Sequence, residues 1–412
     1  MDLGESTQVI TPEAPLLSRE FLILAASTML FFGAMGAANP VLPRFISDEL
    51  GASDTMVGLV VGSFAVASLL FRPFLGRLGD HRGARLLMVI GCLAGAVGML
   101  TMLAVTSPVA AIIGRLPHGL AQAAVMTGST TLAIDLAPVH RRGEAASYIL
   151  VAFHLGLGIG PLLGEFVLDR WSYAGVWVVL AMLMVAGAGV AMLLPHRGKV
   201  HNEPRSALLH PNGFLPGAII GLGMMGPISV SIFVVLYAEE IGLDRVAPVF
   251  LATSLTVAIV RIFAGRVPDR LGPLRNTTIA CSIAIVGSLV LASWHSPLGL
   301  FVGVVVMSVG AALIMPGLVP VAVHGVEDHR RSSALATFTM FLDVSVALTG
   351  PLFGLIASGI GYRAVFVAGA FTSLIALVMT RLLLPARVAG HTDLDSREVN
   401  RTAAAGSAET AG

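Results

Sequence analysis

Residues 76–87 read GRLGDHRGARLL and residues 264–275 read AGRVPDRLGPLR. In both stretches a glycine, an arginine, an aspartate and a second glycine recur at the same spacing, and the second set follows the first by 189 residues. The same shift aligns other pairs along the chain: Arg72 with Arg261, Cys92 with Cys281, His140-Arg141-Arg142 with His329-Arg330-Arg331, and Tyr173 with Tyr362. The chain therefore contains two copies of one long unit.

Composition indicates what kind of unit this is. Of the 412 residues 56% are hydrophobic and 12% are charged, and the mean hydropathy is +0.87, which is typical of a polytopic membrane protein. A helix needs about 20 apolar residues to cross a bilayer. Twelve stretches of that size predict twelve transmembrane helices, at 21–46, 55–76, 84–105, 108–136, 143–168, 173–195, 213–240, 245–268, 274–294, 298–325, 331–358 and 362–384.

The repeat predicts how these helices are grouped. Six predicted spans separate the copies, so both copies have the same topology, as in a parallel repeat about an axis along the membrane normal. We predict an all-α integral membrane protein of two pseudo-symmetric six-helix bundles. The predicted divisions are an N-terminal tail, a first bundle, a linker, a second bundle and a disordered tail, at 1–19, 20–195, 196–212, 213–385 and 386–412.

Basic residues predict the orientation. One set of alternate connections holds thirteen Lys and Arg residues, and the other set holds four, Arg44, Arg170, Arg245 and Arg363. By the positive-inside rule the first set is cytoplasmic, and with it both termini. The N-terminus lacks the basic region and cleavage site of a signal peptide. We therefore expect a multi-pass protein of the inner (plasma) membrane.

Four motifs resemble those of one family. GRLGDHRGARLL is similar to the signature between helices 2 and 3 of the major facilitator superfamily, and AGRVPDRLGPLR resembles its weaker second copy. IIGRLPHGLAQAA (112–124) resembles the helix 4 motif, with Arg115 and Gly119 in the expected places. GLGIGPLLGE (156–165) resembles the helix 5 motif associated with antiporters and exporters. The resemblance covers the chain apart from its tails, and it implies a transporter.

The first motif is expected to act as a conformational latch on the cytoplasmic side. Glycines allow a tight turn, and a carboxylate is favoured at a helix N-terminus. The resemblance adds an ion pair to an acid at the inner end of helix 4, for which Asp135 is placed. Ala84 stands where the family commonly has a basic residue, so Arg85 or Arg82 would serve instead. The predicted latch residues are Gly76, Asp80, Gly83, Arg85, Asp135 and Asp269; the alternative is that the arginines only determine topology.

The helix 5 motif comprises Gly156, Gly160, Pro161 and Gly164, and it ends on Glu165. The glycines allow another helix to approach closely, and the proline removes a backbone hydrogen bond. Small residues in membrane helices can also serve packing alone. TGPLFG (349–354) echoes the motif in helix 11.

Ionisable residues inside a span are costly and are therefore functional candidates. We predict five transport or coupling candidates: Arg115, His118, His154, Glu165 and Asp343. Arg115 and Glu165 are predicted to form an ion pair, although Glu165 could instead reach the interface and pair with Arg170. The 189-residue shift places His154 and Asp343 at equivalent depth. Both His118 and His154 could also be packing residues, and Arg72 and Arg261 are interpreted as structural.

Several classes of function find no support in the sequence. It has no phosphate-binding GxxxxGK[ST] loop, so ATP is not expected to drive it directly. The net charge of +1 provides no basic field for nucleic acid, and the two cysteines lie in apolar runs. We expect no cofactor, no metal site and no enzymatic activity.

These observations predict a secondary active transporter. The expected function is proton-coupled efflux of small apolar organic compounds, such as antibiotics, by alternating access, which would make the protein an antibiotic-resistance determinant. The expected partners are that substrate, protons and the lipid bilayer, and the expected state is a monomer. The main alternative is a facilitator or symporter that imports a metabolite; a membrane enzyme or sensor that does not transport is a third possibility.

Overall fold

A computed structural model describes residues 18–138, 141–195, 209–264, 267–327 and 330–409 of the chain. Side chains at 73, 80, 269, 332 and 386–409 are outside the described part. Two of the predicted latch carboxylates, Asp80 and Asp269, are among these, and the predicted linker lies largely outside the described residues.

The described chain is helical, without a strand. We number the helices α1 to α12: Arg19–Arg44, Asp54–Arg82, Ala84–Thr101, Pro108–Leu136, Arg142–Arg170, Tyr173–Ala191, Pro211–Glu240, Ala247–Phe263, Val267–Ser293, Pro297–Val323, Arg331–Ile360 and Tyr362–Glu409. A π turn, Phe45–Glu49, extends α1, and Arg115 interrupts α4 between Pro108–Gly114 and Leu116–Leu136. The last helix continues through the segment for which the sequence predicts disorder.

Eleven of the described helices are long and apolar enough to cross a membrane. The twelfth, α8, is apolar but has only 17 residues. The predicted membrane protein is therefore confirmed, whereas a twelfth full span stays a prediction. The helix α2 continues beyond the predicted span 55–76 to Arg82, because Gly76 keeps helical geometry and the chain turns only at Gly83.

The buried apolar side chains form separate clusters in the two halves of the chain. Those of α1 to α6 form one large cluster, to which α7 adds Leu236, and one small cluster, and those of α7 to α12 form two further clusters. The repeat is visible in the backbone at the end of its motif. Gly83 has φ 87° and ψ 149°, and Gly272 has φ 72° and ψ 164°, so both adopt a conformation that disfavours any residue with a Cβ. The two motif copies therefore make the same turn.

Several helices have a serine at the N-cap position. Ser18, Ser107, Ser172 and Ser296 each accept a hydrogen bond from a backbone N–H of the first turn of α1, α4, α6 and α10. The helices that receive no such bond from their own N-cap residue include α2 and α8. Their first amides therefore need a partner from elsewhere.

The glycines of the helix 5 motif pack α5 against α1. A Cβ added at Gly160 would overlap the backbone of Gly33, and one added at Gly164 would overlap the backbone of Ala37. Gly156 meets the same helix one turn earlier. These three glycines therefore serve close helix packing within the first half of the chain.

We predict that Gly164→Ala destabilises the protein by about 1–3 kcal/mol, because the new methyl group has no space beside α1. The thermal unfolding midpoint of the purified protein in detergent measures the effect. Gly189→Ala on α6 is the matched control, since no atom lies within 4 Å of the added Cβ. Equal midpoints for the two variants would contradict the packing assignment.

Candidate functional site

The helix ends lie on two faces of the molecule. We call the face with the α2–α3, α8–α9 and α10–α11 connections the terminal face. The opposite face carries the α1–α2, α5–α6, α7–α8 and α11–α12 connections, which are joined by hydrogen bonds such as Tyr173 Oη to Asp48 Oδ2 (3.3 Å) and Tyr362 Oη to Asp54 Oδ1 (2.8 Å). The second of these bonds links the two halves of the chain.

The halves approach most closely between α2 and α11. A Cβ at either Gly58 or Gly350 would overlap the backbone of the other residue. Gly62 lies one turn further along α2, where an added Cβ would be 3.1 Å from Val346 O. On the other side of the molecule, Gly158 of α5 contacts Ser254 of α8, and a Cβ added at Gly158 would overlap the serine side chain. These two helix pairs form the main contacts of the interface between the halves, and α1 and α7 also meet across it.

Glu165 caps α8 across this interface. Its Oε1 accepts hydrogen bonds from Val246 N (2.8 Å) and Ala247 N (3.0 Å), the first amides of α8. The glutamate is only 7% exposed, and both donor residues are fully buried. A carboxylate is favoured at a helix N-terminus, and buried amides without a partner are costly. Glu165 therefore binds the two halves together on the opposite face.

The N-terminus of α2 is capped in the same manner by the other half. Ser358 Oγ of α11 accepts a hydrogen bond from Thr55 N at 3.1 Å, and the Thr55 hydroxyl donates to Gly354 O at 3.2 Å. This cap is exposed to solvent, whereas the cap by Glu165 is buried. The glutamate cap should therefore contribute more to closing the opposite face.

Two ion pairs lie nearby on the same face. Arg44 of α1 binds Glu239 of α7, with Nε and Oε1 2.7 Å apart. Arg245 and Asp169 are 3.6 Å apart, and their side chains are 77% and 58% exposed. Because exposed pairs contribute at most about 1 kcal/mol, the second pair adds little to the closure.

A buried ion pair crosses the interface between α2 and α11. Arg72 Nη2 lies 2.6 Å from Asp343 Oδ2, and the aspartate side chain is 6% exposed. Arg72 Nη1 also donates to Thr339 Oγ1 at 3.3 Å. Asp343 lies about 25 Å along α11 from its end at the opposite face, at 1.5 Å per residue. Arg72, interpreted from the sequence as structural, is therefore the direct partner of a coupling candidate.

The contact between α5 and α8 differs from the contact between α2 and α11 at the equivalent position. The 189-residue shift relates Arg72 to Arg261 of α8 and Asp343 to His154 of α5. His154 is half-buried, and its ring packs edge-on against Phe153 with the centroids 4.8 Å apart. Thus one interface has a cation and a carboxylate, whereas the other has a cation and an imidazole.

Arg115 does not bind Glu165, so the predicted ion pair is corrected. Arg115 is buried at the break of α4, where Nη2 donates to Val61 O at 3.4 Å and the guanidinium lies 4.9 Å from the centre of the Phe64 ring. In the described part of the chain no carboxylate contacts it. Glu165 instead takes its bonds from backbone amides, which satisfy a carboxylate without a cation.

The remaining candidates are His118 and the residues of the predicted latch. His118 is buried within the first half, with Nε2 3.4 Å from Met99 Sδ and Nδ1 3.3 Å from Gly114 O. That environment favours its alternative interpretation as a packing residue. Of the predicted latch, Gly83 makes its turn and Arg85 lines a groove on the terminal face. The roles of Gly76, Asp80, Asp135 and Asp269 stay predictions.

The sequence contains a signal for the missed contact at α8. Pro248 lies in the first turn, where proline is favoured, and Val246 occupies the N-cap position, where an apolar side chain cannot accept a hydrogen bond. A helix start without a local cap predicts a partner from another element. The buried Glu165, at the end of a glycine run, was the available acceptor.

Comparison with known sequences identifies relatives of the whole chain. The family model described as Major Facilitator Superfamily matches residues 24–299 and 286–408. The Uncharacterized MFS-type transporter STM4428 of Salmonella typhimurium is 28% identical over 374 residues, which are 88% of this chain and 95% of that protein. The Uncharacterized MFS-type transporter YhhS of Escherichia coli is 30% identical over 362 residues, 84% of this chain and 88% of that protein.

Solved structures with the same fold are more distant in sequence. A mutant of the nucleoside transporter NupG has a TM-score of 0.72 at 15% identity and covers 88% of this chain and 99% of its own. The human organic anion transporter MFSD10 (TETRAN) has a TM-score of 0.69 at 17% identity, with 89% and 100% covered. A bacterial homolog of the human lysosomal transporter Spinster, in an inward-facing and unoccupied conformation, has a TM-score of 0.72 at 13% identity, with 90% and 98% covered.

We predict that Glu165→Gly opens the opposite face, because the closed state then leaves the buried amides of Val246 and Ala247 unpaired. A lost bond to a charged group costs about 1.5–3 kcal/mol, so the open population should rise about tenfold or more. The reporter is Ser254→Cys, which replaces a buried residue of the α5–α8 contact, in a background without Cys92 and Cys281. The labelling rate is measured with an impermeant thiol reagent applied to each side of the membrane.

Asp169→Asn is the matched control for this measurement. It removes a carboxylate one turn further along α5, but from an exposed ion pair, so labelling should stay at the parent rate. Glu165→Gln can keep weaker neutral bonds and should give an intermediate rate. Parent-like labelling of Glu165→Gly from both sides would show that the cap does not hold the face closed.

Proposed function

Because this chain belongs to the major facilitator superfamily, we propose that it is a proton-coupled exporter of small apolar organic compounds that works by alternating access. The buried ion pair between Arg72 and Asp343 carries this proposal. It places a titratable carboxylate within a membrane-spanning segment, at an interface that must part for the transporter to change its accessible side. A carboxylate in that position can exchange its cationic partner, Arg72, for a proton.

The proposed orientation follows the distribution of basic residues. The terminal face is taken as cytoplasmic because the connections on it hold most of the Lys and Arg residues. The caps by Glu165 and Ser358 would then close the outer side, and the state described above would be closed to the outside. Export begins from such a state, since the substrate enters from the cytoplasm or the inner leaflet.

Proton exchange at Asp343 is proposed as the coupling step. While Arg72 is near, the aspartate is held as a carboxylate by its cation. Separation of α2 from α11 removes that cation, and an aspartate left in an apolar environment binds a proton. When α2 and α11 approach each other again, Arg72 returns to Asp343 and displaces the proton. The proton is thus taken up from the outer side while the outer face is open and released to the cytoplasm when Arg72 returns.

An apolar substrate is favoured by the scarcity of charge on the helices that line the central space in this family's fold. The α10 helix has no charged residue, and the charged residues of α7 are the last two, Glu239 and Glu240. A sugar or a dianion would require several polar or basic anchors. Import of a metabolite is the alternative, and the direction assay below distinguishes the two.

We predict that expression of the protein lowers the intracellular level of at least one compound in a panel of fluorescent and radiolabelled antibiotics and dyes. A protonophore should restore that level, because it collapses the driving gradient. Cells with the empty vector are the control. Gradient-dependent uptake of a nutrient such as a nucleoside, with every drug level unchanged, would replace export with import.

We predict that Asp343→Asn destabilises the protein by about 1–3 kcal/mol, because it leaves Arg72, whose side chain is 29% exposed, without its counter-charge. The double variant Arg72→Gln/Asp343→Asn removes both charges and should recover most of that stability, as measured by thermal unfolding. In proteoliposomes the double variant should exchange substrate for substrate but should no longer respond to a proton gradient. A double variant with wild-type coupling would exclude Asp343 as the proton carrier.

A further inference from the structure

A basic and apolar groove lies on the terminal face, away from the interface between the halves. Its volume is about 670 Å³, and its lining comes from the end of α2, the start of α3 and the residue after α6: His81, Arg82, Arg85, Leu86, Val89 and Met192. No acid is among the lining side chains that the structure describes. The groove therefore presents positive charge to an occupant.

Charge and apolar surface are separated along the groove. His81 and Arg82 end α2, and Arg85 is the second residue of α3, so the cations lie at the helix ends. Val89 lies one turn deeper on α3 and faces the end of α6. Polar groups at the membrane boundary followed by apolar groups at greater depth match the structure of a lipid.

The apolar part continues beyond the groove along the seam between α3 and α6. On α3, Leu93 and Val97 follow Val89 at intervals of four residues and are 42% and 54% exposed. On α6, Gly189 lies one turn before the groove residue Met192, and no atom lies within 4 Å of a Cβ added there. From Arg85 to Val97 the seam is about 18 Å long at 1.5 Å per residue. One leaflet contributes about 15 Å of hydrocarbon, so the length suits one acyl chain.

We propose that this groove binds one anionic phospholipid of the leaflet at the terminal face. Its phosphate lies between Arg82 and Arg85, and one acyl chain follows the α3–α6 seam past Gly189. Guanidinium groups bind phosphate by charge-assisted, paired hydrogen bonds. Basic residues at the membrane surface attract anionic lipids by an amount equivalent to about fivefold in affinity for each residue.

The second half of the chain lacks this site, although it repeats the first. At the 189-residue shift, Leu271 stands for Arg82 and Leu274 stands for Arg85. The exposed basic residues of the corresponding turn, Arg270 and Arg275, occupy the positions of His81 and Leu86 instead. The repeat thus provides a built-in comparison: the same fold at the same membrane depth, with equal net charge but without the arginine pair.

This proposal does not depend on the substrate or on the direction of transport. The test is native mass spectrometry of the whole purified protein in detergent, with equal amounts of phosphatidylglycerol and phosphatidylcholine that carry the same acyl chains. The wild type should retain one phosphatidylglycerol in preference to phosphatidylcholine. Arg82→Gln/Arg85→Gln should lower that retention about 25-fold, as two basic residues are removed.

Three controls separate the lipid from other occupants. Arg270→Gln/Arg275→Gln removes the same charge from the other half and should retain the lipid as the wild type does. Gly189→Phe fills the seam and should weaken retention with every arginine present, which a site for phosphate alone does not predict. Soluble glycerol phosphate should fail to displace the lipid.

Each contrary result would overturn the proposal. These results are equal retention by Arg82→Gln/Arg85→Gln and the wild type, equal loss in the Arg270→Gln/Arg275→Gln control, equal retention of the two lipids, and displacement by glycerol phosphate. Elution of each variant as a single species on size exclusion establishes that it is folded. The binding result remains separate from the proposed function, because no transport activity enters it.

Discussion

Backbone amides at the start of a helix must find acceptors, and two helices of this protein find them in the other half of the chain. Glu165 caps α8 and Ser358 caps α2, both on the opposite face. No side chain of the N-cap residue performs this task at either helix. The hydrogen bonds that cap these two helix N-termini therefore also hold that face closed. When the halves separate, water must replace the lost caps.

The buried pair of Arg72 and Asp343 adds a second constraint at greater depth in the same interface. The free-energy cost of separating the halves differs between the cap at α8 and the ion pair. The amides of α8 can be satisfied by water once the face opens, whereas Asp343 without its cation remains in an apolar environment and is best accommodated with a proton. The caps therefore suit a gate, and the ion pair suits the coupling step of the proposed exporter.

Hydropathy and the repeat were sufficient to predict the membrane class, and the glycine pattern predicted the turn at Gly83. Those features depend on local sequence. The contacts of the site depend on which helices face each other, and the sequence does not state this. The prediction that paired Arg115 with Glu165 considered only side-chain charges, whereas the actual partners are the amides of Val246 and Ala247. The missing local cap at α8 and the equivalence of Arg72 with Arg261 were the usable signals.

The central claim is that the two halves separate as units at the opposite face when its caps are lost. Pulsed electron spin resonance between labels at Trp171→Cys and Leu298→Cys tests it most directly, because both positions are exposed on that face in different halves. With Glu165→Gly we predict a second, longer distance across the halves, while a pair within one half, Trp171→Cys and Leu103→Cys, keeps a single distance. One unchanged distance across the halves, or a change within one half, would contradict the account.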